Sequence, residues 1–215
     1  LLAGLADEIR KGGLLPRLHA LLVVRHGRLV LEEYFNGWQA DRLHTLQSVS
    51  KSFTSALVGI AIARGEFKGV EENVLDFFPA LAGTAGQDDR RASLRLEDIL
   101  TMRTGVSYHE SGPASPHEQM SRLTSGWEKY YLGRPMVARP GTSFNYDSGG
   151  VILLSAMLKA RTGMHAEAYA ARHLFKPLGI EKWLWLHNVE GHTHTGGGLN
   201  LTARDTAKFG LLYLH

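Results

Sequence analysis

Hydrophobic positions recur along this chain in two periods, and the switches between them mark out its elements. Leu2, Leu5 and Ile9 share one side of a helix predicted over Leu1–Lys11, which Gly12-Gly13 ends. His19–Arg25 and Arg28–Phe35, rich in Val, Leu and aromatics, predict two strands, and His26-Gly27 between them suits a tight hairpin turn. Gln47–Gly65 is different. After a polar start it is apolar on nearly every face, which predicts a helix buried in the middle of a domain, with Gly65 placed for a left-handed C-terminus. Val74, Leu75, Phe77 and Phe78 then form a short apolar patch before Pro79, and Ala82–Ala92, small and polar, predicts a surface loop. Further helices are predicted over Leu94–Met102, closed by Gly105, over Pro116–Leu132, over Val151–Arg161, stopped by Gly163, and over Ala166–Phe175. Lys182–Leu186 predicts a short strand. Thr202-Ala203-Arg204-Asp205 is a capping-box-like start, with Asp in place of Glu, to a final helix still running near His215. Strand-forming material is scarce after Phe35.

Composition narrows the classes. The 215 residues are 44% hydrophobic and 21% charged, ordinary for a globular protein and enough for one large domain or two lobes. The net charge of +3 does not predict a nucleic-acid partner, because the charges are mixed and no basic run interleaves with aromatics. With no cysteine there is no disulfide, thiolate zinc site or catalytic thiol, and the compartment is left open. No apolar run approaches the length of a membrane span. Neither Gly-x-Ser-x-Gly nor a phosphate loop occurs.

Candidate chemistry gathers at the start of the apolar helix. Ser48 and Lys51, three residues apart, share a face there, and a hydroxyl beside an amine at the positive end of a buried helix is a place to make a nucleophile. By itself the pair has about an even chance of arising by accident, as a helix cap beside a solvated lysine. His187, His192 and His194 form a local cluster with imidazoles that suit a metal. No Asp or Glu stands at helical metal spacing beside them, so polar loop histidines are the expectation. Trp183 and Trp185 alternate as strand residues that pack. Trp127, Tyr130 and Tyr131 fit either an acyl pocket or helix packing.

Partner motifs change the weight of Ser48 and Lys51. Ser48-Val49-Ser50-Lys51 is followed by Leu100-Thr101-Met102-Arg103-Thr104-Gly105 and by Pro140-Gly141-Thr142-Ser143-Phe144-Asn145-Tyr146-Asp147-Ser148. Phe175-Lys176-Pro177-Leu178-Gly179-Ile180 and Gly197-Gly198-Leu199-Asn200-Leu201-Thr202-Ala203-Arg204-Asp205 come next. In this order and over about Ala20–Leu214, the set resembles the penicillin-recognising serine hydrolases of class C β-lactamase type. That superfamily includes D-alanyl-D-alanine carboxypeptidases, family VIII esterases and nylon-oligomer hydrolases. The resemblance implies an α+β, β-lactamase/transpeptidase-like fold, an antiparallel sheet flanked by helices plus a helical lobe. It implies Ser48 as nucleophile, Lys51 as its base if burial and nearby charge lower its pKa, and Tyr146 as a proton relay. Ser148 would face substrate where the family often has Asn, which weakens the expectation of β-lactam handling more than that of ester or amide hydrolysis. The Ser48 N–H would supply half of an oxyanion hole. No metal or organic cofactor is implied.

The expected reaction is therefore acyl transfer from a small ester or amide to water through an acyl-serine. A β-lactam or peptidoglycan stem peptide is the alternative substrate, and a non-catalytic ligand sensor on the same fold is the alternative of another class. Oligomeric state is not readable. His194-Thr195-Gly196 resembles the family's third motif, but the glycine-rich stretch that follows belongs before the terminal strands, so that motif is expected beyond His215. With Leu rather than Met at the start, the expectation is an incomplete domain, inactive alone, with residues 1–66 carrying the first helix, hairpin and nucleophile helix and residues 67–215 a mainly helical lobe.

Overall fold

The computed structural model describes residues 2–82 and 88–214. The ends of the predicted first and last helices at Leu1 and His215, and the middle of the loop predicted over Ala82–Ala92, lie outside the described residues. In chain order the elements are α1 (Leu2–Arg10), β1 (Ala20–Arg25), β2 (Arg28–Tyr34), β3 (His44–Thr45), α2 (Ser50–Ala63) and α3 (Pro79–Ala82). Then come α4 (Leu96–Leu100), α5 (Pro116–Ser121), α6 (Trp127–Leu132), α7 (Ser148–Thr162), α8 (Ala166–Ala170), β4 (Trp183–Trp185), β5 (Leu199–Leu201) and α9 (Ala203–Leu212). None of the described helices is long and apolar enough to cross a membrane. The chain forms two compact units, each assembled from separated segments.

The first unit comprises Leu1–Thr45, Phe175–Leu184 and Asn200–His215. Its β1–β2 hairpin is antiparallel, with an irregularity between Val23 and Val24. The predicted turn is as expected: His26 and Gly27 both have positive φ, 50° and 71°, the signature of the primed turns that match strand twist. Ala6, Ile9 and Phe35 form a small core, packed by Leu5, Leu18 and Leu21. Two strand segments escaped the sequence reading. His44 pairs with Leu201 and Thr45 with Asn200, because two- and three-residue strands carry too little alternation to register as a period. Thr202 caps α9 as predicted, accepting from the Asp205 N–H at 3.1 Å.

The second unit, Leu46–Leu174 and Trp185–Leu199, is built on α2 and α7. Ser148 through Leu158 are all buried, so α7 is a core helix on every face. It starts three residues before the predicted Val151, because Asp147 caps it by accepting from the Gly150 N–H at 2.8 Å. α2 departs from expectation on one face: Phe53, Leu57, Val58 and Ala61 are buried, but Ser52, Ser55, Gly59 and Ala63 are exposed. Gly65 follows it at φ 73°, as predicted. The single helix predicted over Pro116–Leu132 is two, since Gly126 at φ 69° breaks the run ahead of α6. The helix predicted over Leu94–Met102 is shorter, Leu96–Leu100, and Met102 at φ 54° follows its cap ahead of Gly105. Gly105 serves another purpose: a Cβ there would lie 2.4 Å from the Ala138 carbonyl oxygen. Past the undescribed residues, Asp89–Ser93 is a 3₁₀ helix rather than loop, and Arg91 in it is 2% exposed.

Candidate active site

The nucleophile candidate does not sit inside α2. Gln47–Val49 form a 3₁₀ turn that leads into it, and Gln47 takes φ 46°. A non-glycine residue in the left-handed region costs about 1–2 kcal/mol, and such strain concentrates where a side chain must be aimed. Here it lifts Ser48 into solvent, on the exposed side of the turn. The Ser48 N–H belongs to a first turn, whose amides have no intrahelical acceptor and are free to face an anion.

Lys51, one turn on and half-buried, donates to Ser48 Oγ at 3.0 Å. The same nitrogen donates to the Gly196 carbonyl at 2.5 Å and lies 5.0 Å above the Tyr146 ring centroid. The four groups the sequence named are thus partly assembled: Ser48, Lys51 and Tyr146 meet, Tyr146 being 40% exposed and presenting its ring face to the amine. Ser148, expected at substrate, is 3% exposed, and both its N–H (2.7 Å) and its hydroxyl (3.2 Å) donate to the Glu110 carboxylate.

Glu110, His117 and Tyr108, which sequence reasoning passed over, complete the setting together with residues it had named. Glu110 also lies 3.6 Å from His117, whose Nδ1 is 3.0 Å from the Tyr108 hydroxyl. Burial, with the charges of Glu110 and Asp147, pushes the Tyr108 hydroxyl far above its usual range, so it stays protonated. The fully buried Tyr131 hydroxyl donates to the carboxylate of Asp147, the residue after Tyr146, and Thr104 donates to it at 3.0 Å. His194, Thr195 and Gly196 lie in a turn, not on a strand. They nevertheless touch the site, since Gly196 receives Lys51. Burial, aided by the charges of His117 and Lys51, holds the His194 imidazole below its ordinary value and therefore neutral.

A cavity of about 450 Å³ opens on this turn, walled by Leu123, Trp127, Leu186, His187, Val189 and His194 among others. Trp127 meets His194 edge-on at 5.8 Å between centroids. The choice between acyl pocket and packing is thereby divided: Trp127 lines the cavity, Tyr131 is core, and Tyr130 turns its hydroxyl to Gln119 at 3.0 Å. Ser48, Lys51 and Tyr146 are not in the wall; His194 connects wall and site.

This arrangement can activate a hydroxyl, hold an oxyanion at a turn N–H and seat an apolar group nearby. Several known proteins are similar to this chain. The 6-aminohexanoate-dimer hydrolase of Paenarthrobacter ureafaciens is 28% identical over 208 residues, covering 91% of this chain and 51% of its own. A Yersinia enterocolitica protein named beta-lactamase is 24% identical over 159 residues, covering 69% of this chain and 38% of its own. The chain thus spans about half the length, or less, of these curated relatives. Among solved structures, EstCE1, titled a hydrolase with promiscuous acyltransferase activity, superposes with a TM-score of 0.75 at 18% identity, covering 96% of this chain and 71% of that one. The fold is α+β and β-lactamase/transpeptidase-like. The family profile described as Beta-lactamase matches residues 17–214, and the chain belongs to that family.

Proposed function

We propose that this protein is a serine hydrolase that cleaves an ester or amide of a small carboxylic acid through an acyl-Ser48 intermediate. The observation that carries the reading is the 3.0 Å contact between Lys51 Nζ and Ser48 Oγ, with the amine held from behind by the Gly196 carbonyl. Ser48 Oγ attacks the substrate carbonyl carbon while its proton passes to the Lys51 amine. The Ser48 N–H donates to the oxyanion that forms. Collapse breaks the bond to the leaving group, which takes up a proton from Lys51, directly or through the Tyr146 hydroxyl. Water repeats the sequence on the acyl-enzyme, giving its proton to Lys51 and releasing the acid and Ser48. In this reading Ser148 acts by fixing Glu110 rather than by touching substrate, and the acyl group lies towards the Trp127–His194 cavity.

Relatives named 6-aminohexanoate-dimer hydrolase and beta-lactamase support amide-bond cleavage. The apolar lining contributed by Leu123, Leu186 and Val189 favours an uncharged acyl chain, and β-lactams are the second reading. A fluorophosphonate probe tests the nucleophile. It labels the parent at Ser48, and Ser48→Ala loses both labelling and ester turnover. Ser48 is exposed and its side chain caps no helix end, so its loss changes stability by no more than about 0.5 kcal/mol. A folded Ser48→Ala protein that still turns over nitrophenyl esters would refute the assignment. Labelling without turnover would point instead to an acylated sensor.

A further inference from the structure

A second polar cluster involves none of Ser48, Lys51 and Tyr146 and lies next in sequence to residues that line the cavity. Glu128, in the first turn of α6, and Glu190 and His192, in the loop after β4, bring three potential ligand atoms within 4.8 Å of one another. Their surroundings do not account for them. Two carboxylates at this separation repel, yet among the described residues neither forms an ion pair with Lys or Arg. Among the described residues Glu190, itself exposed, accepts through Oε2, from the Gly126 N–H at 2.9 Å and the Asn188 amide at 3.2 Å. Glu128 is half-buried and makes no hydrogen bond among the described residues. Independently, the Nδ1 of the half-buried His192 is sealed from solvent with no hydrogen-bond partner among the described residues. An imidazole with an unpartnered nitrogen, grouped with two carboxylates that no cationic side chain neutralises among the described residues, is a donor set suited to a cation.

We propose that Glu128, Glu190 and His192 bind a divalent cation of the zinc class. Carboxylate oxygen with imidazole nitrogen is a donor set that zinc accepts at about 2.0–2.2 Å, and small side-chain rotations close the ligand separations to that geometry. Imidazole disfavours magnesium and calcium, which take oxygen alone. Two carboxylates neutralise the ion, and water fills the remaining position.

The loop is already shaped for the purpose. The Asn188 side-chain oxygen accepts from the N–H groups of Glu190 (3.0 Å) and His192 (2.9 Å), so both ligands hang from one rigid turn. Val189 N–H bonds the Thr124 carbonyl at 3.0 Å, docking that turn against the approach to α6. The ion bridges the same two segments. Since Trp127, Asn188 and Val189 line the cavity, the ion is a structural clamp on its wall and takes no part in acyl transfer. Sequence spacing hid this site because Glu128 comes from a distant part of the chain and reaches His192 only through the fold.

The test is calorimetric titration of the metal-stripped protein with Zn²⁺, Mn²⁺ and Mg²⁺, paired with melting curves. The parent binds one Zn²⁺ per chain, Mg²⁺ does not compete, and saturating Zn²⁺ raises Tm. Glu128→Gln and His192→Gln, near in shape to the originals, each weaken Zn²⁺ binding at least about tenfold and lose the Tm rise. Metal-free melts show whether each variant folds, and Glu128→Gln decides the matter if His192→Gln does not. No Zn²⁺ binding by the parent, or equal binding by a folded Glu128→Gln protein through other histidines such as His165 or His187, would overturn the proposal. Because binding is read without substrate, either result is independent of whether Ser48 is a nucleophile.

Discussion

Replacing Tyr131 by Phe removes one oxygen from the hydrogen bonds that hold Asp147, and its effect can be worked out from the contacts. The Tyr131 hydroxyl is fully buried and donates to the Asp147 carboxylate, which is itself 1% exposed and caps α7. Burial raises the Asp147 pKa, while the bonds from Tyr131, Gly150 and Thr104 pull it back. Losing a hydrogen bond to a charged buried group costs about 1.5–3 kcal/mol. For a chain of this size that is a fall in Tm of about 3–12 °C. The pH dependence has a definite sign. Without Tyr131 the Asp147 pKa rises further above 3.8, so the variant binds its proton at higher pH than the parent. The stability lost by Tyr131→Phe is therefore full near neutrality and shrinks as pH falls through the raised Asp147 value. Urea unfolding at about pH 7 and about pH 4.5 measures both. A loss that stays constant between the two pH values, or no loss at pH 7, would show that the hydroxyl does not support a charged Asp147.

Lys51→Arg keeps the positive charge but cannot accept a proton, so acylation by a nitrophenyl ester should slow on the order of a hundredfold or more; an unchanged rate would make Lys51 an electrostatic neighbour only. Gly196→Ala would put a Cβ 2.9 Å from the Ser148 carbonyl oxygen, a clash that should cost about 1–3 kcal/mol in a urea melt and lower kcat by moving the Lys51 acceptor. Burial lowers the pKa values of His44, His165, His173 and His194 below 6.5, so each binds fewer protons folded than unfolded. The stability they carry is complete above 6.5 and is lost as pH drops through the depressed values, which predicts a falling Tm between about pH 7.5 and about pH 5.5; a flat or rising Tm would contradict it.

The parts of this protein that were legible in its sequence are those written locally. The hairpin shows in alternating residues and a His26-Gly27 turn, the start of α9 in Thr202 and Asp205, the end of α2 in Gly65, and the contact of Ser48 with Lys51 in their spacing of three residues. What was missed is what only packing decides. Apolar composition cannot say which neighbours cover a helix, so α2 was expected to be buried all round, whereas Ser52, Ser55, Gly59 and Ala63 face outward. Glu110 carries no motif; its importance comes from being brought under the first amide of α7. His194 was noticed for a strand motif, and the fold uses it instead as a neutral cavity wall beside a turn whose carbonyl receives Lys51.

That turn explains why a glycine-rich stretch so far along the chain matters to a serine near its start. Three consecutive carbonyls, those of Thr195, Gly196 and Gly197, accept from Thr54 (2.9 Å), Lys51 (2.5 Å) and Ser50 (2.8 Å), all from the first turns of α2. The two outer bonds are between uncharged groups and fix the turn against the helix. The middle one belongs to the amine that also reaches Ser48. Ser50 Oγ then accepts from the Leu199 N–H at 3.2 Å, tying the turn into β5. A Cβ at Gly196 would meet Ser148 and Ile152 on α7, and one at Gly198 would lie 2.8 Å from Leu186, so only glycine lets the turn wedge this closely. A lysine on a four-carbon stem has many rotamers, and ordering it costs up to about 2 kcal/mol. Here that cost is met by a carbonyl whose position the flanking serine and threonine have already set, so the amine is aimed at Ser48 before any substrate arrives.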